Sequence, residues 1–235
     1  MEKTRTIHCQ DTAKSRHLSP PLPELPFDAT AAQIALPEPD LLQDQQVNFL
    51  ELIEVRSSVR QYHNRPLTIK ELSYLLWCTQ GVKMMMPGGA NLRNVPSAGA
   101  RHAFETYLYI QNVEGVEPGF YRFLAMEHAL LPLGFAKEQE EMFLEAFKVR
   151  DMPLQAAVTF IWAAVPERMT YLFGERAYRY IHLDAGHVCQ NLYLAAQTIQ
   201  TGVCAIAGFD DEKINTAMHF DGETQFVVYA ASAGK

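Results

Sequence analysis

No stretch of this 235-residue chain approaches the roughly 18–20 consecutive apolar residues that a membrane-spanning helix needs, so a bilayer-embedded protein is not expected. Basic residues are in deficit, with 20 Lys and Arg against 27 Asp and Glu and a formal charge of −7. That balance argues against nucleic acid or an anionic membrane surface as the main partner, since both need a basic face. Cysteine is scarce. Cys9, Cys78, Cys189 and Cys204 are scattered with no C-x-x-C pair. Neither a disulfide frame nor a zinc site is expected, and reduced thiols suit a cytoplasmic protein. No apolar core follows Lys3, Arg5, Lys14 and Arg16, so the N-terminus does not read as a secretory signal. The fingerprints G-x-G-x-x-G, G-x-x-x-x-G-K-[ST] and G-x-S-x-G are all missing, which argues against Rossmann, P-loop and α/β-hydrolase proteins.

What is present divides near residue 44. Residues 1–44 contain Pro20, Pro21, Pro23, Pro26, Pro37 and Pro39, too many for a regular helix or a central strand. Leu22, Leu25, Phe27, Ile34 and Leu36 lie among them, so an extended arm along a folded surface is expected. Residues 45–235 read as one domain. A helix is expected from near Gln45 to Arg56, on the spacing of Val47, Leu50 and Ile53. Thr68 and Glu71 stand in capping-box relation ahead of a second helix, which Gly81 stops. Met84 to Asn91, with Pro87-Gly88-Gly89, reads as a loop.

Three strands are then expected: Phe104 to Val113, Phe120 to Leu124, and Ala129 to Leu133, the last an edge strand because of Pro132. Lys137 to Lys148 reads as an amphipathic helix, and the apolar run Ala156 to Val165 as a strand buried on both faces. Pro166 to Thr201 reads as helix broken at Gly174, with Tyr180 to Gln200 buried nearly all round and Gly202 as its cap. Val203–Ala207 (strand), Asp210–Met218 (helix) and Gln225–Ala231 (strand) complete an α+β domain.

Two segments carry chemistry. In Arg56-Ser57-Ser58-Val59-Arg60, two planar guanidinium forks flank two hydroxyls, a donor set suited to phosphate oxygens. Val95 to Ala100 is a turn of small residues against which a flat ligand can lie. Together they point to a phosphorylated, planar cofactor, which would carry the chemistry itself. His182, Asp184 and His187 do not make a metal site by spacing, because helix positions five apart face different ways. No metal is expected. Tyr178, Arg179, Tyr180 and His187 are candidates to orient substrate or donate a proton; packing along the helix is the plainer account of them.

The chain resembles the nitroreductase superfamily of flavin enzymes, and within it the SagB-type dehydrogenases. The resemblance rests on Arg56-Ser57-Ser58-Val59-Arg60-Gln61-Tyr62, Leu67 to Trp77, Pro96-Ser97-Ala98-Gly99-Ala100 with Glu105-Thr106-Tyr107, Pro118-Gly119-Phe120-Tyr121, Leu183-Asp184-Ala185-Gly186-His187 with Gln190-Asn191-Leu192, and Gly208-Phe209-Asp210. It implies a mixed, mainly antiparallel sheet flanked by helices, in an intertwined homodimer with FMN at the subunit interface. By the same resemblance Arg56, Ser57, Ser58 and Arg60 hold the phosphate, ribityl chain and ring edge. Pro96, Ser97, Ala98, Gly99 and Ala100 approach the flavin of the other protomer, and Ala207 and Gly208 face the ring, with the Gly208 N–H directed at N5.

The implied activity is hydride transfer through flavin N5. It acts either in NAD(P)H-linked reduction of a small molecule or in oxidation of an azoline ring in a peptide. Members often carry a basic residue on an extension past the last strand. In this sequence the last two residues are Gly234-Lys235, and Lys235 is expected to be frayed. Ala207 stands where simple nitroreductases often have an acidic residue. The alternatives are a flavin-binding or interaction protein without turnover of its own, and a fold that binds no flavin.

Overall fold

The computed structural model describes residues 4–5, 12–40, 46–86 and 90–235. Cys9, Gln45 and Pro87 to Gly89 lie outside them, as do parts of the segment before residue 45. Seven strands make one sheet: β1 (Ile34–Ala35), β4 (Phe104–Ile110), β5 (Gly119–Leu124), β6 (Ala129–Pro132), β7 (Val158–Ala164), β8 (Gly202–Ile206) and β9 (Phe226–Gly234). The order is β1-β6-β5-β4-β7-β9-β8. Every strand pair is antiparallel. Among the described residues parallel pairing is confined to single bridges such as Ser58 with Val203.

Alternation along β4 decides the layers. Leu108 and Ile110 join Phe160 and Trp162 of β7 in the core under α2 (Ile69–Gln80), α5 (Pro166–Phe173) and α6 (Ala177–Thr198). Tyr107, Tyr109 and Ile161 point the other way, to α3 (Lys137–Ala146) and α7 (Asp211–Ala217). The capping box of α2 forms as its sequence dictates: the Thr68 hydroxyl accepts the Glu71 N–H, and the Glu71 carboxylate accepts the Thr68 N–H at 2.8 Å. Leu72, Leu75 and Leu76 are fully buried, and truncating any of them to Ala should cost about 2–5 kcal/mol. Asp210 caps α7 by accepting the Lys213 N–H.

Several expectations change. The two ends of the segment read as a loop are in strands, since β2 (Val82–Met85) pairs antiparallel with β3 (Asn91–Arg93). Strand β6 is not at the edge, because β1 from the arm pairs with Leu130 and Ala129 and leaves Pro132 beyond the pairing. Helix α6 ends at Thr198 with Ile199 as its cap, and Gly202 opens β8 instead. Nor is α6 buried all round: His182, Leu183, Gly186, His187 and Gln190 are exposed. Helix α1 (Phe49–Val55) is capped by Asn48 and buries no residue; Phe49, Leu50 and Ile53 are all exposed. The short helix α4 (Asp151–Gln155) was not expected. Lys235 is not frayed; its side chain is mostly buried and its Nζ lies 2.5 Å from a Glu71 carboxylate oxygen.

The arm crosses the surface from α5 to α2. Lys14 N–H bonds to Tyr171 O, Leu36 N–H to His128 O, and the Ser73 hydroxyl to Pro37 O. Between these points its carbonyls meet buried arginines. Arg168 donates to Leu22 O, Arg93 to Pro23 O, and Arg122 to Leu25 O and Pro26 O.

Candidate functional site

Strand β8 has β9 on one side only, and the segment 56–60 lies along its free edge. The Val59 N–H bonds to Val203 O at 2.9 Å. Gly202 makes this approach possible, since a Cβ there would stand 2.7 Å from the Val59 side chain. The Tyr62 hydroxyl fastens the segment from below, 2.9 Å from Val59 O and 2.7 Å from Ser232 Oγ.

On this edge the Arg56 guanidinium stands 5.3 Å over the ring of Tyr193, a stacking that suits a planar cation. The Tyr193 oxygen accepts the Ala205 N–H at 2.9 Å and lies 2.9 Å from Ser58 Oγ. With the amide hydrogen on one lone pair, the tyrosine can donate to Ser58, which leaves the serine hydrogen for an outside acceptor. Arg60 bonds only weakly, to Ser58 O at 3.4 Å. Among the described residues neither Arg56 nor Arg60 has a carboxylate within ion-pair distance. Ser57 is exposed beside them. Tyr193 was not singled out by sequence, because a tyrosine on a largely apolar helix reads as core.

Past the end of β8, Ala207 and Gly208 are exposed. Gly208 O accepts the Lys148 N–H at 2.8 Å, and Asp210 N–H bonds to Ala146 O at 2.8 Å, so the turn is pinned to the end of α3. No hydrogen bond among the described residues uses the Gly208 N–H. A Cβ at this position would meet only Lys148 Cβ at 3.7 Å, so packing within the chain does not require glycine here. Ala207 also opens onto a cavity of about 300 Å³ with His182, Phe209 and Phe226.

The turn Pro96 to Ala100 sits elsewhere. Its Ala98 N–H points at the Asp184 carboxylate, 3.3 Å away, and Pro96, Ser97 and Ala100 line a cavity of about 400 Å³ with Lys83 and His102. Burial raises the Asp184 pKa, against the lowering effect of Ser97, the Ala98 amide and His187. Asp184 and Tyr193 are nine positions apart on α6, about 13–14 Å along its axis. One chain therefore does not bring the arginine edge and the small-residue turn together.

The four helix candidates also separate. His187 is half-exposed with Nδ1 3.9 Å from Asp184, beside the Pro96–Ala100 turn. Tyr178 stacks on Phe226 with ring centres 6.5 Å apart, near the cavity that Ala207 shares. Arg179 instead donates to the Thr4 hydroxyl, and Tyr180 accepts from Arg176. Among the described residues no group of His, Cys, Asp and Glu is placed to hold a metal, and no helix is long and apolar enough to cross a membrane.

The nitroreductase family model matches residues 53–235. This chain belongs to the nitroreductase family. The family is one of oxidoreductases, and the match takes in the β8 edge, the Pro96–Ala100 turn and Gly208. A "putative nitroreductase" of Methanocaldococcus jannaschii is 34% identical over 170 residues, 72% of this chain and 83% of the relative. The trifolitoxin-processing protein TfxB of Rhizobium leguminosarum bv. trifolii is 31% identical over 132 residues, 54% of this chain and 35% of that protein. Solved structures show the nitroreductase fold. One from Ralstonia eutropha has a TM-score of 0.66 at 20% identity, covering 93% of this chain and 94% of its own. The Escherichia coli microcin synthetase McbBCD complex with truncated pro-MccB17 has a chain with a TM-score of 0.65 at 20% identity, covering 90% of this chain and 77% of that one. A family member from Desulfovibrio desulfuricans, solved in complex with FMN, has a TM-score of 0.57 at 16% identity, covering 80% of this chain and 87% of its own.

Proposed function

We propose that this protein is an FMN-dependent oxidoreductase that works as a homodimer. The observation that carries the reading is the β8 edge, where two arginines with no carboxylate partner among the described residues flank a serine whose hydroxyl can donate outward when Tyr193 donates to it. That donor set fits a phosphate, and the N–H of exposed Gly208, unused among the described residues, fits a flat acceptor nitrogen. Arg56, Ser57, Ser58 and Arg60 hold the phosphate and ribityl end, and Ala207 and Gly208 present backbone to the ring. FMN, when bound, supplies hydride transfer at N5. The Pro96–Ala100 turn serves the site of the second copy, which is why a single chain leaves it apart from the edge. The exposed Phe49, Leu50 and Ile53 of α1 and Leu183 of α6 supply apolar surface for such an interface.

Two substrate classes fit the reading. One is a quinone or nitroaromatic reduced at the cost of NAD(P)H. The other is an azoline ring in a peptide, which loses a hydride and a proton to become an azole, with oxygen as the final acceptor. Similarity to a trifolitoxin-processing protein and to a chain of a microcin synthetase complex favours the peptide. Tyr178 and His187 are exposed and remain the groups to orient substrate or carry the proton. Arg179 is engaged with Thr4, and Tyr180 with Arg176. A protein that binds flavin without turnover would show neither oxidation. The test is an absorption spectrum of the purified protein. Oxidised-flavin bands, with FMN released on denaturation, are expected; a protein that stays colourless after incubation with FMN contradicts the proposal.

A further inference from the structure

The turn that follows Pro96 has an unusual backbone. Gly99, Ala100 and His102 all have positive φ, at 58°, 53° and 43°. Glycine accepts this freely, but alanine and histidine do so at a cost, and such conformations persist only when their surroundings fix them. Two bonds do part of this. Asp184 takes the Ala98 N–H, and Ser97 Oγ takes the His102 N–H at 2.9 Å. A further hold comes from outside the turn, through a second buried side chain.

Arg168 is 3% exposed. Its Nη1 makes a long, weak bond to His102 O at 3.4 Å, its Nε donates to Leu22 O in the arm at 2.8 Å, and its Nη2 pairs with the Glu105 carboxylate. Glu105 in turn accepts the Leu25 N–H of the arm at 2.8 Å. One planar guanidinium thus binds the turn, the arm and a buried carboxylate at once. Pro20, Pro21 and Pro23 stiffen the arm where Leu22 O is offered, and they line a small cavity together with Ala100, Arg101 and Arg168.

We propose that Arg168 is a positioning residue that couples the Pro-rich arm to the turn Ser97–His102 and so holds that turn in its left-handed shape for the cofactor. The arm is then part of the site's framework. The purpose assigned to the coupling rests on the FMN reading; the coupling itself does not. Lysine at this position could keep the charge beside Glu105 but could not direct three fixed donors at three acceptors.

The test compares Arg168→Lys with wild type by hydrogen exchange of peptides spanning 97–103 and 56–62, and by FMN titration. Exchange in 97–103 is expected to rise at least tenfold in a folded variant, with 56–62 unchanged and FMN affinity reduced about tenfold. Unchanged exchange in 97–103, or an equal rise across the sheet, overturns the coupling. A double Pro21→Gly/Pro23→Gly variant, which keeps Arg168 and loosens the arm, should give the same local signature and decides the matter if Arg168→Lys does not fold. The two claims fail separately. Local exchange effects in a protein without FMN affinity overturn the cofactor purpose and leave the coupling standing. Equal FMN affinity with unchanged exchange overturns the coupling and leaves the FMN reading standing.

Discussion

Arginine is used in two opposite ways in this molecule. Beneath the arm, Arg93, Arg122 and Arg168 are buried, and their donors go to arm carbonyls, to Gln80 and to Glu105. Along the β8 edge, Arg56 and Arg60 have no carboxylate partner among the described residues, and Arg56 rests on an aromatic face. The first set was desolvated when the chain folded and, apart from Arg122 Nε, has its donors taken up by the chain itself. The second keeps its hydrogen-bonding capacity toward solvent, in reach of a hydroxyl and a strand edge. The same side chain is a structural clamp in one region and a ligand holder in the other, and the difference lies in which acceptors the fold brings to it.

The sharpest way to break the contrast is to remove one arginine from the buried set. Arg168→Ala strands Glu105 beside fewer cations, and breaking a buried pair in this way should cost about 3–5 kcal/mol. Urea denaturation should show it. A loss below about 1 kcal/mol would mean that the clamp is dispensable.

The second prediction concerns the open side of the molecule. Ile53→Glu puts a charge on a helix with no buried residue in the single chain. It should leave the monomer folded, shift the sedimentation coefficient from dimer to monomer and lower FMN content. A variant that remains dimeric would remove α1 from the proposed interface.

A smaller effect belongs to the arm. The Glu24 carboxyl accepts the N–H groups of Ala125 and Met126, at 2.6 and 3.2 Å. Burial, with the charges of Glu105 and Glu127 nearby, pushes its pKa up to about 7. The folded state therefore holds a proton that the unfolded chain releases near pH 4.5. The stability this contributes is complete below about pH 4.5 and is lost as pH rises to about 7. The urea midpoint of wild type relative to Glu24→Gln should fall across that window. A difference independent of pH would contradict the assignment.

Much of the fold was legible because local signals agreed with tertiary packing. The capping box of α2, the alternation in β4 and the apolar run of β7 each fixed an element by one physical rule. Two of the errors fell where pairing comes from distant chain. Pro132 suggested an edge, yet a two-residue strand from the arm covers β6. Gly202 looked like a cap, yet it is glycine because Val59 lies against it. In the candidate site, Arg56, Ser58 and Arg60 stood out by chemistry, whereas Tyr193 and Arg168 did not, because Ser58 and Leu22, the partners that give them their roles, lie 135 and 146 residues away.

The central claim is that the edge arginines are held open for an anionic cofactor while the buried ones are not. FMN titration and urea denaturation of Arg56→Ala/Arg60→Ala test it most directly. Each charge-assisted bond to a phosphate is worth about 1.5–3 kcal/mol, so affinity should fall by at least a hundredfold, while stability changes by no more than about 0.5 kcal/mol. FMN affinity equal to wild type in the folded double variant would contradict the account.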